Sequence, residues 1–102
     1  MSAQPEAPVP VELRLYVAGN SPKCRLAMEN LQQTCDTFLP GQYRIVVVDL
    51  LENPQLAADD QIVAVPTLVR KLPEPMRKIV GDLSDTERLL VGLQVRPGRP
   101  ER

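Results

Sequence analysis

Residues 11–18, VELRLYVA, alternate apolar with polar and are rich in Val, Leu and Tyr, while residues 43–49, YRIVVVD, form a β-branched run with little alternation. Between them lies a single amphipathic stripe. Cys24, Ala27, Met28, Leu31, Cys35 and Phe38 recur at steps of three and four, the spacing that lines one face of a helix. Ser21 is a good N-cap, and Pro22 suits the first helical position, where no N–H is needed. Pro40-Gly41 stops the pattern, so the spacing predicts a helix over 22–38. Strand, helix and strand make a right-handed βαβ unit, and this constrains the fold more than any other feature of the chain. Its two strands are parallel, and the second is expected to be buried on both faces of a sheet.

The remaining segments complete the order βαβαββα. Asn53-Pro54 repeats the cap-plus-proline signal and opens a short helix to about Ile62. Residues 66–72 (PTLVRKL) and 76–80 (MRKIV) flank Pro73-Glu74-Pro75 and read as an antiparallel hairpin. Ser84 and Glu87 form a capping box ahead of Leu89, Leu90 and Leu93, announcing a terminal helix. At 102 residues there is material for one core and not for two. MSAQPEAPVP at 1–10 and the Pro-, Gly- and Arg-rich end at 96–102 read as solvated tails around one domain at 11–95.

Composition narrows the chemistry. A net charge of −1 with 3% aromatic residues argues against nucleic-acid binding, which calls for a basic excess and stacking rings. The absence of histidine removes a histidine-based triad, a histidine metal site and a histidine proton shuttle together. Asp49 and the Asp59-Asp60 pair read as helix-end and surface groups, not as a metal site, so no metal or cofactor is expected. No stretch reaches the roughly 18 apolar residues of a membrane span, and no signal peptide precedes the first strand. A cytoplasmic location is expected.

The element order, with Val65-Pro66-Thr67 opening the third strand, resembles the thioredoxin fold with its mixed four-stranded sheet; in that fold the matching proline is usually cis. A thioredoxin-type redox centre needs two cysteines two residues apart at the helix start, where the dipole lowers a thiol pKa. The matching turn here is Asn20-Ser21-Pro22-Lys23. Cys24 falls one place late, and Cys35 lies eleven residues further on, roughly 16 Å along the same helix. A disulfide holds its Cα atoms within about 7 Å, so the cysteines read as two small apolar members of the stripe.

LYVAGNSP at 15–22, VVDLLENPQLA at 47–57, VPTLVRKLPEP at 65–75 and IVGDLSDTERLLVGL at 79–93 together resemble the KaiB family of cyanobacterial clock proteins and their relatives, across residues 13–93. The resemblance implies a non-enzymatic protein that binds the N-terminal ATPase ring of a KaiC-type hexamer. It also implies competition there with a thioredoxin-like kinase domain, and sequestration of KaiA where one exists. It implies two folds as well: a ground state ordered βαββααβ, often tetrameric, and a thioredoxin-like state that binds KaiC. Residues 89–95 suit either, because Val91, Gly92 and Val95 are poor in a helix.

On the same resemblance, partner binding falls to Arg70, Lys71, Arg77 and Lys78 in the hairpin and to Lys23 and Arg25 at the first helix. Arg25 is offset by one place from the family's arginine. Pro66, Gly81, Asp82, Gly92 and Gln94 are implied in fold switching or structure. Gln94 stands where cyanobacterial relatives usually carry Asp, and the closing residues lack their acidic run. Removing an acid from a helix C-terminus is worth some 0.3 to 1 kcal/mol, which favours the thioredoxin-like state. Two other readings stay open: a thioredoxin-fold oxidoreductase or stress-response protein, and a KaiB-like sensor module of a kinase, although no kinase segment follows. Monomer, dimer and tetramer are all compatible with the sequence.

Overall fold

A computed structural model describes residues 11–72 and 74–94. The tails at 1–10 and 96–102, together with Pro73 and Val95, lie outside the described residues. The elements are β1 (Val11–Val17), α1 (Pro22–Phe38), β2 (Tyr43–Asp49), a 3-10 segment (Pro54–Ala58), β3 (Thr67–Leu72), β4 (Arg77–Val80) and α2 (Thr86–Leu93). The sheet order is β2-β1-β3-β4. β1 runs parallel to β2 and antiparallel to β3, and β3 runs antiparallel to β4. This is the thioredoxin-like arrangement, with a mixed four-stranded sheet.

Period-two alternation in β1 divides the core. Leu13, Leu15 and Val17 join Cys24, Ala27, Leu31 and Cys35 of α1 and Leu89 and Leu93 of α2 in the main cluster. Tyr16 turns to the opposite face and meets Val48 and Val69 in a small second cluster, edged by Leu50, Leu56, Ile62 and Val65. One face therefore carries both helices, and among the described residues the other is covered only by the segment after β2. α2 spans eight residues, too short to be stable in isolation. Burial of Leu89, Leu90 and Leu93, at about 1.5–3 kcal/mol each, holds it.

Three expectations need correction. β2 is an edge strand and not a central one, with Val46 and Val47 left 48% and 45% exposed. The chain returns from β2 across β1, so the valine run lies outermost. The second helix is a 3-10 segment ending at Ala58, because Gln61 takes a left-handed φ of 55° and Ile62 N–H reaches back to the Ala57 carbonyl. The cap of α2 is Asp85, whose side chain accepts from Arg88 N–H. Ser84 is drawn instead into a turn in which its N–H donates to Asp82 Oδ1 at 3.0 Å.

Candidate docking surface

The six basic residues expected to bind a partner do not form one patch. Arg70 pairs with Arg77 across β3 and β4, and Val69 pairs with Lys78, so alternation sends neighbouring cations to opposite faces of the sheet. Arg77 and Lys78 are exposed on β4. Lys71 lies on the thinly covered face with Arg14 of β1; these side chains are 30% and 32% exposed. Lys23 and Arg25 are exposed at the start of α1, Arg25 beside a groove floored by Val17, Met28 and Val47.

Arg70 does not belong to the surface. It is 1% exposed, on the helix-bearing face. One guanidinium nitrogen donates to the Gly92 carbonyl at 2.8 Å and the other to the Pro75 carbonyl at 2.7 Å, while Nε has no partner among the described residues. Burial, reinforced by the charge of Arg77, pulls its pKa below the ordinary value. The Gly92 carbonyl lies in the last turn of α2, where backbone acceptors lack intrahelical donors and the helix end is partly negative. α2 has no basic residue of its own in that turn, so Arg70 supplies the cation from a neighbouring strand.

The opposite face corrects a further expectation, because Asp60, expected at the surface, is drawn inside by partners on β1 and β3. Asp60 is 4% exposed. It accepts from Tyr16 OH at 2.7 Å and from Lys71 Nζ at 2.6 Å, with Arg14 at 3.6 Å. Burial would raise its pKa, but the hydrogen bonds from Lys71 and Tyr16 and the charges of Lys71 and Arg14 outweigh that and hold it below the usual value. Next to it, Lys78 Nζ donates to the Gln61 carbonyl at 3.3 Å, and Val63 projects 96% exposed. This edge thus combines fixed cations with an exposed apolar side chain. Its components are not adjacent in the sequence, and no local motif marks them.

A model of the KaiB domain matches residues 14–95. The circadian clock oscillator protein KaiB of Acaryochloris marina is 52% identical over 83 residues, covering 81% of this chain and 80% of that protein. The chain belongs to the KaiB family. The KaiB of a Picosynechococcus strain is 51% identical over the same length, with the same coverage. Among solved structures, the N-terminal domain of Synechococcus elongatus SasA matches this KaiB-family chain with a TM-score of 0.73 at 23% identity, over 97% of this chain and 98% of that one. Yeast mitochondrial thioredoxin 3 matches with a TM-score of 0.68 at 21% identity, over 84% and 78%. Both structures are alike in fold.

The thioredoxin likeness does not extend to a redox centre in this KaiB-family chain. Cys24 and Cys35 are free and buried, and burial, with the charge of Asp36 adding, pushes the Cys35 thiol up to about 12. No group of metal-ligating side chains occurs among the described residues. No helix there is long and apolar enough to cross a membrane.

The residues implied in fold switching hold junctions. The Val65-Pro66 bond is cis. Gly81 has a φ of 122°, open to glycine and strained for other residues, and its N–H donates to the Pro66 carbonyl. Asn30 of α1 donates to the Asp82 carbonyl at 2.8 Å. Gln94 is the left-handed C-cap of α2. A Cβ on Gly92 would lie 2.3 Å from Ile79 Cδ1, so the glycine admits α2 close to β4.

Proposed function

We propose that this chain is a non-enzymatic clock regulator that binds the ATPase ring of a KaiC-type hexamer in the thioredoxin-like fold. The observation that carries this reading is the 52% identity, over 83 residues, to a protein whose name places it in the circadian oscillator. The chemistry of the site supports it: there is no histidine, and the two cysteines are buried and unbridged. Arg77 and Lys78 on β4, with Lys71 and Arg14 beside Asp60, orient an acidic partner surface through charge. Lys23 and Arg25 contribute from the start of α1. KaiA and a clock-output histidine kinase are the further partners this reading implies, the kinase competing for the same ring. The setting is cytoplasmic, and residues 50–95 exchange between two folds.

The test is size-exclusion co-elution of the purified chain with the host's KaiC-type ATPase in ATP and in ADP, with insulin reduction measured alongside. Co-elution with the hexamer and no insulin turnover is the expected result. Turnover that either cysteine substitution abolishes would turn the reading to an oxidoreductase, and a chain that elutes apart from the ring in both nucleotides would refute the docking.

A further inference from the structure

The two segments that cover the sheet after β2 are each tied to β3 by a charged contact with one buried member, Arg70 on one side and Asp60 on the other, and the two contacts use consecutive residues of the strand. Arg70 faces the helix side and grips the Gly92 carbonyl of α2. Lys71 faces the other side and grips Asp60, at the end of the segment that carries Pro54–Ala58. Strand alternation places the pair back to back. We propose that Arg70 and Lys71 are two independent pins, and that withdrawing one loosens its own covering segment while the sheet and the other segment stay in place.

The two sides differ in how they are balanced. Asp60 is faced by Lys71 from β3 and by Arg14 and Tyr16 from β1, while Lys78 of β4 engages the neighbouring Gln61 carbonyl. The apolar cluster beneath that segment has Tyr16, Val48 and Val69 as its buried members, with Leu50, Leu56, Ile62 and Val65 only partly buried against it, so the ionic contact reinforces a thin apolar attachment. Arg70, in contrast, makes no salt bridge with a carboxylate among the described residues; its bonds run to two backbone carbonyls on different elements. A guanidinium forks to reach both, and an ammonium is a single point charge. The α2 pin is therefore specific to arginine. The 60-side pin needs only a cation.

The consequence is a conformational device in which either covering segment opens alone over an intact four-stranded sheet. It rests on the geometry of the free chain, so failure of ring binding leaves it standing and its own failure leaves ring binding untouched. Amide hydrogen exchange of the full-length chain tests it. Asp60→Asn and Lys71→Met should speed exchange of the Leu56, Asp59 and Ile62 amides at least tenfold and leave Leu89 and Gln94 within twofold. Arg70→Met and Arg70→Lys should do the reverse. Lys71→Arg, which keeps the cation, should match the wild type. If Asp60→Asn does not fold, Lys71→Met carries that arm, since it leaves the carboxylate with Arg14 and Tyr16. Joint acceleration of both segments, acceleration shared by the β1 and β3 amides, or no change in any variant would each overturn the proposal.

Discussion

Gly92→Ala sets two effects of similar size against each other. Alanine in a helix is favoured over glycine by about 1 kcal/mol, so on helix propensity alone the substitution should stabilise α2. The added Cβ, however, would lie 2.3 Å from Ile79 Cδ1 and 3.1 Å from Cγ1, and overpacking of this kind costs roughly 1–3 kcal/mol. Ile79 is 8% exposed, so it has little room to turn aside. The single substitution should therefore be neutral to destabilising by about 2 kcal/mol. Ile79→Val deletes the nearer of the two atoms and by itself costs some 0.5–1.5 kcal/mol. In that background Gly92→Ala should recover most of its helix gain, giving a coupling of about 1–2 kcal/mol between the sites. Urea unfolding of the four proteins measures it. Equal effects of Gly92→Ala in both backgrounds, within 0.5 kcal/mol, would show that the close approach of α2 to β4 does not govern this position.

Gln94→Gly should raise stability by about 1 kcal/mol, because a left-handed C-cap is free for glycine and strained for glutamine; a loss on thermal melting would contradict the cap. Asp60 and Asp82 both titrate below the usual aspartate value in the folded chain, the first through its cationic partners and the second through bonds from Ser84. Their contribution is complete above the unfolded-state value of about 3.9 and is lost as pH falls through the lower folded values. Unfolding free energy should thus drop below about pH 4, less steeply in Asp60→Asn; an identical acid limb in the variant would show that the Asp60 contacts do not contribute to this loss. Ellman's reagent at pH 8 should label Cys24 and Cys35 only after denaturation, since both are buried, and rapid labelling of the native chain would contradict that. Arg77→Glu with Lys78→Glu should slow association with the ring more than it speeds dissociation, and wild-type association should slow with salt; rates indifferent to both would place the interface elsewhere.

The local grammar of this fold was open to reading. Ser21-Pro22 and the stripe from Cys24 to Phe38 mark α1 at its observed ends, and YRIVVVD marks β2 at its own. What the sequence could not supply was neighbourhood. A valine run suits a central or an edge strand, and only the strand order leaves Val46 and Val47 in the open. Asp60 carries no signal of burial, because its partner Tyr16 lies 44 residues away and Arg14 is further still. The place of Arg70 is legible in the strand pattern. The residue shares a strand face with Leu68, and alternation alone separates it from Lys71, so the pleat splits the four hairpin cations between two faces.

The free chain already holds the thioredoxin-like arrangement, with residues 86–93 as a helix against β4. Backbone NMR secondary shifts over residues 86–94, recorded on the wild-type protein alone, test this most directly. Helical shifts from Thr86 to Leu93 that break at Gln94 are the expected result, and strand-like shifts over the same residues would contradict it.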